Sequence, residues 1–316
     1  MTSSSIDLPT LNRAILHTAI YADIFDYPLT AHEIHRYLTG VSASLEMVEN
    51  VLPGALRQSG GYYTLPGREI IVSTRQRRQQ VAARLWPPAL RFGRSIARLP
   101  FVRMVAVTGS LAMDNVEKNA DLDYLIVTTP GRLWLCRALI LALDRLAGLQ
   151  GVRLCPNYLV TQRALEFSDH NLYAAHELAQ MIPLSGMDVY DEIRALNRWV
   201  GRFLPNADGA PHRDQIAPLP LSRSTGVPWL EVLLLTPPVT WLEKWEMDRK
   251  IRKLRRENGD NPEASFSADC CKGHSHRHGQ KTAQVLCQRL ENIGVKKNSF
   301  QALSADFADI MPELGY

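Results

Sequence analysis

The chain has 316 residues, 46% of them hydrophobic, and a formal net charge of +4. This length predicts two or three domains, and the apolar residues are ample for cores of that size. The positive charge is too small by itself to indicate a nucleic-acid-binding protein. Residues 1–9 are polar and predict no signal peptide, and the five scattered cysteines favour a reducing compartment, so we expect a cytoplasmic protein.

Residues 1–74 begin with the pattern of two helices. Apolar residues recur at helical spacing over residues 11–25. Thr30 stands three residues before Glu33, which is the spacing of a capping box at the start of a second helix. The first part of this region is therefore predicted to be helical.

The same region ends in a third helix and a hairpin. Ser42 or Ser44 is predicted to start the helix, and Pro53 to bend it or divide it into two pieces. Residues 60–71 have the composition of a β-hairpin with a Pro-Gly turn. Three helices and a hairpin predict a winged helix-turn-helix-like domain.

A winged helix suggests DNA binding, but the composition of its third helix does not favour it. That helix carries Glu46 and Glu49, and only Arg57 follows it. Surfaces that bind DNA phosphates usually present several Lys or Arg side chains. A module used for packing or protein contact is the preferred interpretation.

A basic stretch follows at residues 75–103, with eight arginines and almost no acids. We predict a helix that leads into a central domain at residues 75–165. Such a helix could hold RNA, the phosphates of a nucleotide or an acidic partner. A solvated charged helix face explains the pattern equally well.

The most informative segment is residues 105–127. A β-branched run at residues 105–107 precedes a Gly-Ser pair, and Asp121 and Asp123 stand at the head of a second apolar run. Side chains two apart on a strand share one face, so the two carboxylates would lie together. Paired carboxylates suit a Mg²⁺ ion that bridges nucleotide phosphates. Gly109 permits close approach of the backbone to a phosphate, and Ser110 adds a hydroxyl at a predicted helix start.

This combination resembles the nucleotidyltransferase superfamily that includes DNA polymerase β, the antibiotic nucleotidyltransferases and the minimal nucleotidyltransferases. The resemblance covers residues 100–165 and implies a mixed β-sheet core flanked by helices. It also implies a nucleoside triphosphate (NTP) as substrate and Mg²⁺ or Mn²⁺ as cofactor. Two motifs match the family. The Gly-Ser turn, which the resemblance implies binds the phosphates, is Thr108-Gly109-Ser110. The Asp-x-Asp pair, which it implies binds the metal and acts in catalysis, is Asp121-Leu122-Asp123.

The chain departs from the family after the second strand. Many active members carry a third carboxylate on the strand that follows the connecting helix, but residues 152–160 contain none, and Asn157 is the nearest polar substitute. An amide cannot accept a proton as a base. Three interpretations remain open: Glu166 or Asp169 reaches in from the next loop, a one-metal mechanism operates, or the site binds nucleotide without turnover.

The connecting helix at residues 132–149 is almost wholly apolar. Arg137, Asp144 and Arg145 interrupt it, and the uninterrupted run is too short to span a bilayer. It is predicted to cover the sheet, and we expect no transmembrane segment.

Residues 166–316 predict a helical C-terminal domain. Helices are predicted at residues 171–181 and 191–203, with a linker at 205–228. His176 and Glu177 lie on the helix expected to face the active site and are candidates for acid–base roles, although a lone histidine is more often structural. The resemblance implies that this domain closes over base and acceptor.

Two segments near the C-terminus have further chemical potential. Residues 241–256 combine two tryptophans with a Lys/Arg-rich helix. This pattern suggests contact with a membrane surface or with nucleic acid, and a solvated basic helix end is the alternative. Residues 270–278 contain two cysteines and three histidines, which could bind zinc or copper or form a polar helix start.

The sequence therefore predicts an α+β protein with a winged helix, a nucleotidyltransferase-type core and a helical C-terminal domain. The expected reaction is Mg²⁺-dependent transfer of a nucleoside monophosphate from an NTP to a hydroxyl on RNA, protein or a small molecule. The alternative is a catalytically silent nucleotide-binding regulator with a winged-helix interaction module.

Overall fold

The computed structural model of the chain describes residues 6–118, 120–211, 228–259, 261–273 and 278–292. Its N-terminal part contains three helices, a short hairpin and a long fourth helix. These elements are α1 (Leu8–Asp23), α2 (Ala31–Arg36), α3 (Leu45–Ala55), β1 (Arg57–Ser59), β2 (Tyr62–Thr64) and α4 (Ile71–Ala97).

The predicted starts of α2 and α3 are confirmed. Thr30 accepts a hydrogen bond from the Glu33 backbone N–H, and the Glu33 carboxylate accepts one from the Thr30 N–H, so the capping box is complete. Ser44, not Ser42, caps α3 through the Met47 N–H. Pro53 does not divide α3, which continues to Ala55.

The predicted position of the hairpin turn was wrong, because the turn lies six residues before the Pro-Gly pair. β1 and β2 are joined at Gly60 and Gly61, where φ is +56° and +83°, and not at the Pro-Gly pair. Two consecutive positive φ angles give the two-residue turn whose twist matches paired strands, and glycine adopts them without strain. Leu29 pairs with Tyr63 and adds a bridge to this small sheet.

A mixed six-stranded sheet forms the centre of the chain, in the order β6-β3-β4-β5-β8-β7. β4 and β5 are parallel, and the other neighbours are antiparallel. The sheet and its short helix α5 comprise β3 (Val102–Val107), α5 (Gly109–Ala112), β4 (Leu122–Thr128), β5 (Leu154–Thr161), β6 (Ile182–Ser185), β7 (Ser265–Phe266) and β8 (Cys270–Lys272).

Helices cover both faces of this sheet. α6 (Leu133–Gly148), as predicted, connects β4 to β5 and packs with α4 and α11 (Pro237–Asn258) on one face. The other face is covered by α7 (Leu172–Gln180), α8 (Met187–Leu196) and α9 (Val200–Phe203). Because side chains alternate along a strand, Asp123 points to the second face with Leu125 and Val127.

The C-terminal region is less purely helical than expected. α10 (Pro228–Leu234), α11 and α12 (His278–Asn292) are helices, but β6, β7 and β8 join the central sheet. These strands are short, so a pattern of alternating residues could not reveal them. Most of the predicted linker at 205–228 lies outside the described residues.

The single helix predicted at residues 191–203 is two helices. Asn197 ends α8, and its side chain donates to the carbonyls of Leu165 and Ile193 and accepts from the Phe167 N–H. A side chain that satisfies neighbouring backbone groups in this way favours a break over continuation of the helix. None of the described helices is long and apolar enough to cross a membrane.

Candidate functional site

The Gly-Ser turn lies directly against the Asp-x-Asp pair. Gly109 follows β3 with φ +67°, and a Cβ built on it would lie 2.6 Å from the Asp123 Oδ2 atom. The Thr108 N–H donates to the Asp123 carbonyl at 3.0 Å, which fixes β3 beside β4. Only glycine leaves room here for both the backbone and the carboxylate.

Asp121 and Asp123 differ in their surroundings. Asp121 is 42% exposed and lies 3.5 Å from the Arg153 Nε atom. Burial and the neighbouring Asp121 charge raise the pKa of Asp123 to about 6, and a hydrogen bond from the Cys155 thiol opposes this shift. The carboxylate pair thus concentrates negative charge at the start of β4, where the exposed Arg153 lies near Asp121.

Both carboxylates open into a cavity of about 660 Å³. This cavity lies between the central sheet and helices α1 and α7, and it is large enough for a nucleotide. Its polar end consists of Gly109, Ser110, Asp121, Asp123 and Asn157. Aromatic side chains from the N-terminal region line the rest, among them Tyr21, Phe25, Tyr27 and Tyr37.

A third carboxylate enters this cavity from α7. Burial and the charge of Asp123 raise the pKa of Glu177 to about 7, while Lys272 opposes that shift. The negative charge of Glu177, followed by burial, in turn raises the pKa of Tyr173. Glu177 is therefore a carboxylate of raised pKa at the same cavity as Asp121 and Asp123.

His176 does not fit a proton-transfer role. Its ring stacks on Tyr21 with centroids 4.1 Å apart, and it is 5% exposed. Burial lowers its pKa to about 3, so the ring is neutral at physiological pH. Its Nδ1 contacts the Gln180 amide at 3.2 Å. His176 joins α7 to α1 and helps form the aromatic wall.

A second cavity of about 380 Å³ adjoins the first at Glu177. Glu177, Tyr21, Tyr173 and Asn157 line both cavities. The remaining walls of the second cavity include Thr108, Tyr158, Asp169, Lys272, Glu263 and Thr282. Glu177 is thus positioned between two spaces that together could hold two substrates.

The other carboxylates considered for the third position are placed differently. Glu166 is exposed and lines neither cavity. Asp169 faces the second cavity and forms an ion pair with Lys272. Asn157 lies on β5 where the third carboxylate was sought and lines both cavities, and Thr108 contacts only the second.

The residues fit a magnesium–nucleotide complex better than a metal held by protein alone. Among the described residues, no group of three or more His, Cys, Asp or Glu side chains is close enough together to hold a metal ion. Mg²⁺ is commonly bound by one or two carboxylates and completed by substrate phosphates and water. Asp121 and Asp123 would provide this donor set, and two neighbouring carboxylates suit a divalent cation.

The Cys/His segment does not form one metal site in its described part. Cys270 and Cys271 are neighbours on β8 and pack against opposite faces of the sheet. Two such thiolates cannot converge on one ion without breaking the strand. His274 and His276 lie outside the described residues.

Two of the six arginines of α4 form ion pairs with neighbouring elements, and the other four are exposed: Arg77, Arg84, Arg91 and Arg94. Arg75 is buried and paired with Glu33, and Arg78 pairs with Glu117. None of the basic side chains of α4 lines either described cavity. Contact between this helix and nucleotide phosphates at the site is therefore not supported.

Sequence reasoning missed Tyr21, Tyr173 and Lys272 as neighbours of Glu177. Tyr173 could have been found, since residues four apart on a helix share a face. Tyr21 and Lys272 come from distant parts of the chain, and only the fold brings them together.

No protein-family model matches the chain, and no curated protein or solved structure shows a significant match to it. The functional assignment therefore depends on the geometry and chemistry of the site.

Proposed function

We propose that the protein is a Mg²⁺-dependent nucleotidyltransferase that moves a nucleoside monophosphate from an NTP to an acceptor hydroxyl. The observation that carries the proposal is the contact between the Gly109 turn and Asp123. Asp121 and Glu177 line the same cavity as these two residues. This arrangement supports the proposal, because a glycine turn suits a triphosphate, paired carboxylates suit a metal ion, and a carboxylate of raised pKa suits a base.

Each residue has a distinct role in the proposed reaction. The open backbone at Gly109 and the hydroxyl of Ser110 bind the triphosphate. Asp121 and Asp123 hold the metal, which supplies Lewis-acid activation and offsets charge on the leaving pyrophosphate. Glu177, with a pKa of about 7, takes the proton from the acceptor hydroxyl as that oxygen attacks the α-phosphorus.

The second cavity is the proposed approach of the acceptor. It shares Glu177 with the first cavity, whereas Phe25 and Tyr27 line the first cavity and not the second. The aromatic walls formed by Phe25 and Tyr27 suit the flat face of a nucleobase. Nucleotide and acceptor would then meet at Glu177.

The test is transfer of label from each α-³²P-NTP, with Mg²⁺ present, to macromolecular or low-mass fractions of a cell lysate. We expect label transfer by the native chain and its loss in Asp121→Asn and Asp123→Asn. Asp191→Asn is the control, because Asp191 is exposed on α8 and lines neither cavity. Nucleotide binding without transfer to any fraction would contradict an enzymatic function.

The alternative function is a catalytically silent nucleotide-binding regulator. It is favoured by the absence of a carboxylate on β5, where Asn157 stands. In that case the native chain binds the NTP without transferring label, and Glu177→Gln leaves nucleotide affinity unchanged. Label transfer by the native chain separates the two functions, and Glu177→Gln then tests whether Glu177 is the base, since this variant should lose transfer while preserving folding and binding.

A further inference from the structure

The outer surface of α10 and α11 exposes an unusual concentration of large apolar side chains. Six residues within 232–245 are 43–69% exposed. They are Val232, Leu233, Leu235, Trp241, Leu242 and Trp245. Soluble surfaces rarely group so many large apolar side chains without an interaction partner.

The packing of α11 does not account for these side chains. Met247, Ile251 and Leu254 form its inner side and pack against the core on the sheet. Glu243 is also turned inward, where it accepts hydrogen bonds from the Trp134 and Leu135 N–H groups at 2.9 and 2.6 Å. The helix is therefore anchored by its inner side, and its tryptophans remain outside.

Arginines continue the outer surface along α11. Trp241, Trp245, Arg249, Arg252 and Arg256 succeed one another at spacings of three and four, so they form one stripe, which we call the Trp–Arg face. The Arg249 guanidinium lies 5.3 Å from the centre of the Trp245 ring. Among these positions the apolar side chains lie toward the start of α11 and the cations toward its end, where Arg249 is paired with Glu246 and Arg252 and Arg256 are exposed.

We propose that the Trp–Arg face and the exposed side chains of α10 bind the surface of an anionic lipid bilayer. Tryptophan rings and aliphatic side chains enter the interfacial region, and arginines attract anionic headgroups. The aliphatic residues favour a bilayer over single-stranded nucleic acid, because Val232, Leu233 and Leu235 cannot stack on bases as aromatic rings do. The surface is separate from both cavities, so this inference does not depend on the proposed reaction.

The experiment is flotation of the full chain with vesicles of phosphatidylcholine alone or with one third phosphatidylglycerol. We expect binding to the anionic vesicles and weak binding to the neutral ones. Trp241→Ala with Trp245→Ala, and separately Arg252→Gln with Arg256→Gln, should each weaken binding about tenfold or more. Only the arginine pair should reduce the dependence of binding on salt.

Matched controls come from exposed positions elsewhere in the chain. Ile70→Ala removes a side chain that is 74% exposed, and Arg94→Gln with Arg98→Gln removes two exposed cations at the C-terminal end of α4. Both controls should retain vesicle binding. Equal binding to neutral and anionic vesicles, or equal loss in the controls, would overturn the proposal.

A second measurement uses the native chain and does not depend on the folding of any variant. Brominated lipids in anionic vesicles should quench tryptophan emission, because Trp241 and Trp245 would lie within the interface. Absence of quenching contradicts the proposal. Binding of a single-stranded oligonucleotide that is lost with the tryptophans, without vesicle binding, would assign the face to nucleic acid instead.

Discussion

At the scale of single residues, Gly109 sets the distance between backbone and carboxylate. Gly109→Ala would place a methyl group 2.6 Å from Asp123 Oδ2 on a backbone with φ +67°. We expect a loss of about 1–2 kcal/mol in the free energy of unfolding from the left-handed conformation, and a loss of nucleotide binding from the displaced carboxylate. Denaturant unfolding and nucleotide titration measure the two effects.

Gly131→Ala is the matched control for that change. Gly131 has φ +72°, and a Cβ there would meet no atom within 4 Å. Gly131→Ala should lose only the stability due to the left-handed conformation, Gly109→Ala should lose at least as much, and only Gly109→Ala should lose nucleotide binding. Equal nucleotide affinity in both would show that the contact with Asp123 is unimportant.

His176 should make folding sensitive to acid. Its pKa is about 3 in the folded chain and near 6.5 when unfolded, so below pH 6.5 the unfolded chain binds the extra proton. Its contribution to stability is therefore lost as pH falls from about 6.5 toward 3, by up to about 1.4 kcal/mol per pH unit.

The measurement is urea unfolding of the native chain and His176→Phe between pH 7 and pH 4.5. Phenylalanine keeps an aromatic ring against Tyr21 and removes the titration. The difference in free energy of unfolding between the two proteins should shift in favour of His176→Phe as pH falls. A pH-independent difference would mean that His176 is accessible to protons when folded.

At the scale of elements, a buried ion pair joins α2 to α4. Arg75 is 4% exposed and donates to both Glu33 carboxylate oxygens, at 2.7 and 2.8 Å. Arg75→Met leaves a largely buried Glu33 without its cation, and we expect a loss of about 3 kcal/mol in unfolding free energy. Arg77→Met, at an exposed position of the same helix, should change stability little. Similar losses in both variants would show that the ion pair contributes nothing specific.

The elements also show what sequence alone could and could not predict. α6 and the capping box of α2 were predictable, because helical periodicity and caps are local signals. β6 has four residues and lies after a helix, so its pairing with β3 is a property of the fold. Likewise Asp121 and Asp123 could be identified by spacing, whereas the role of Glu177 required the packing of α7 over the sheet.

At the scale of the whole molecule, metal binding should depend on pH. The pKa of Asp123, a proposed metal ligand, is raised to about 6, so this carboxylate binds a proton more readily than usual. A divalent cation must compete with this proton, and we expect Mg²⁺–nucleotide affinity to rise as pH increases from 5.5 toward 8. Calorimetric titration across this range measures the change, and constant affinity would contradict it.

The central claim is that Asp121 and Asp123 hold a metal–triphosphate complex, on which both candidate functions depend. The most direct measurement is calorimetric titration of the native chain, Asp121→Asn, Asp123→Asn and Asp191→Asn with a non-hydrolysable NTP analogue, with and without Mg²⁺. We predict Mg²⁺-dependent binding to the native chain and to Asp191→Asn, and at least about tenfold weaker binding to the other two variants. Binding that is independent of Mg²⁺, or equal in all four proteins, would contradict the account.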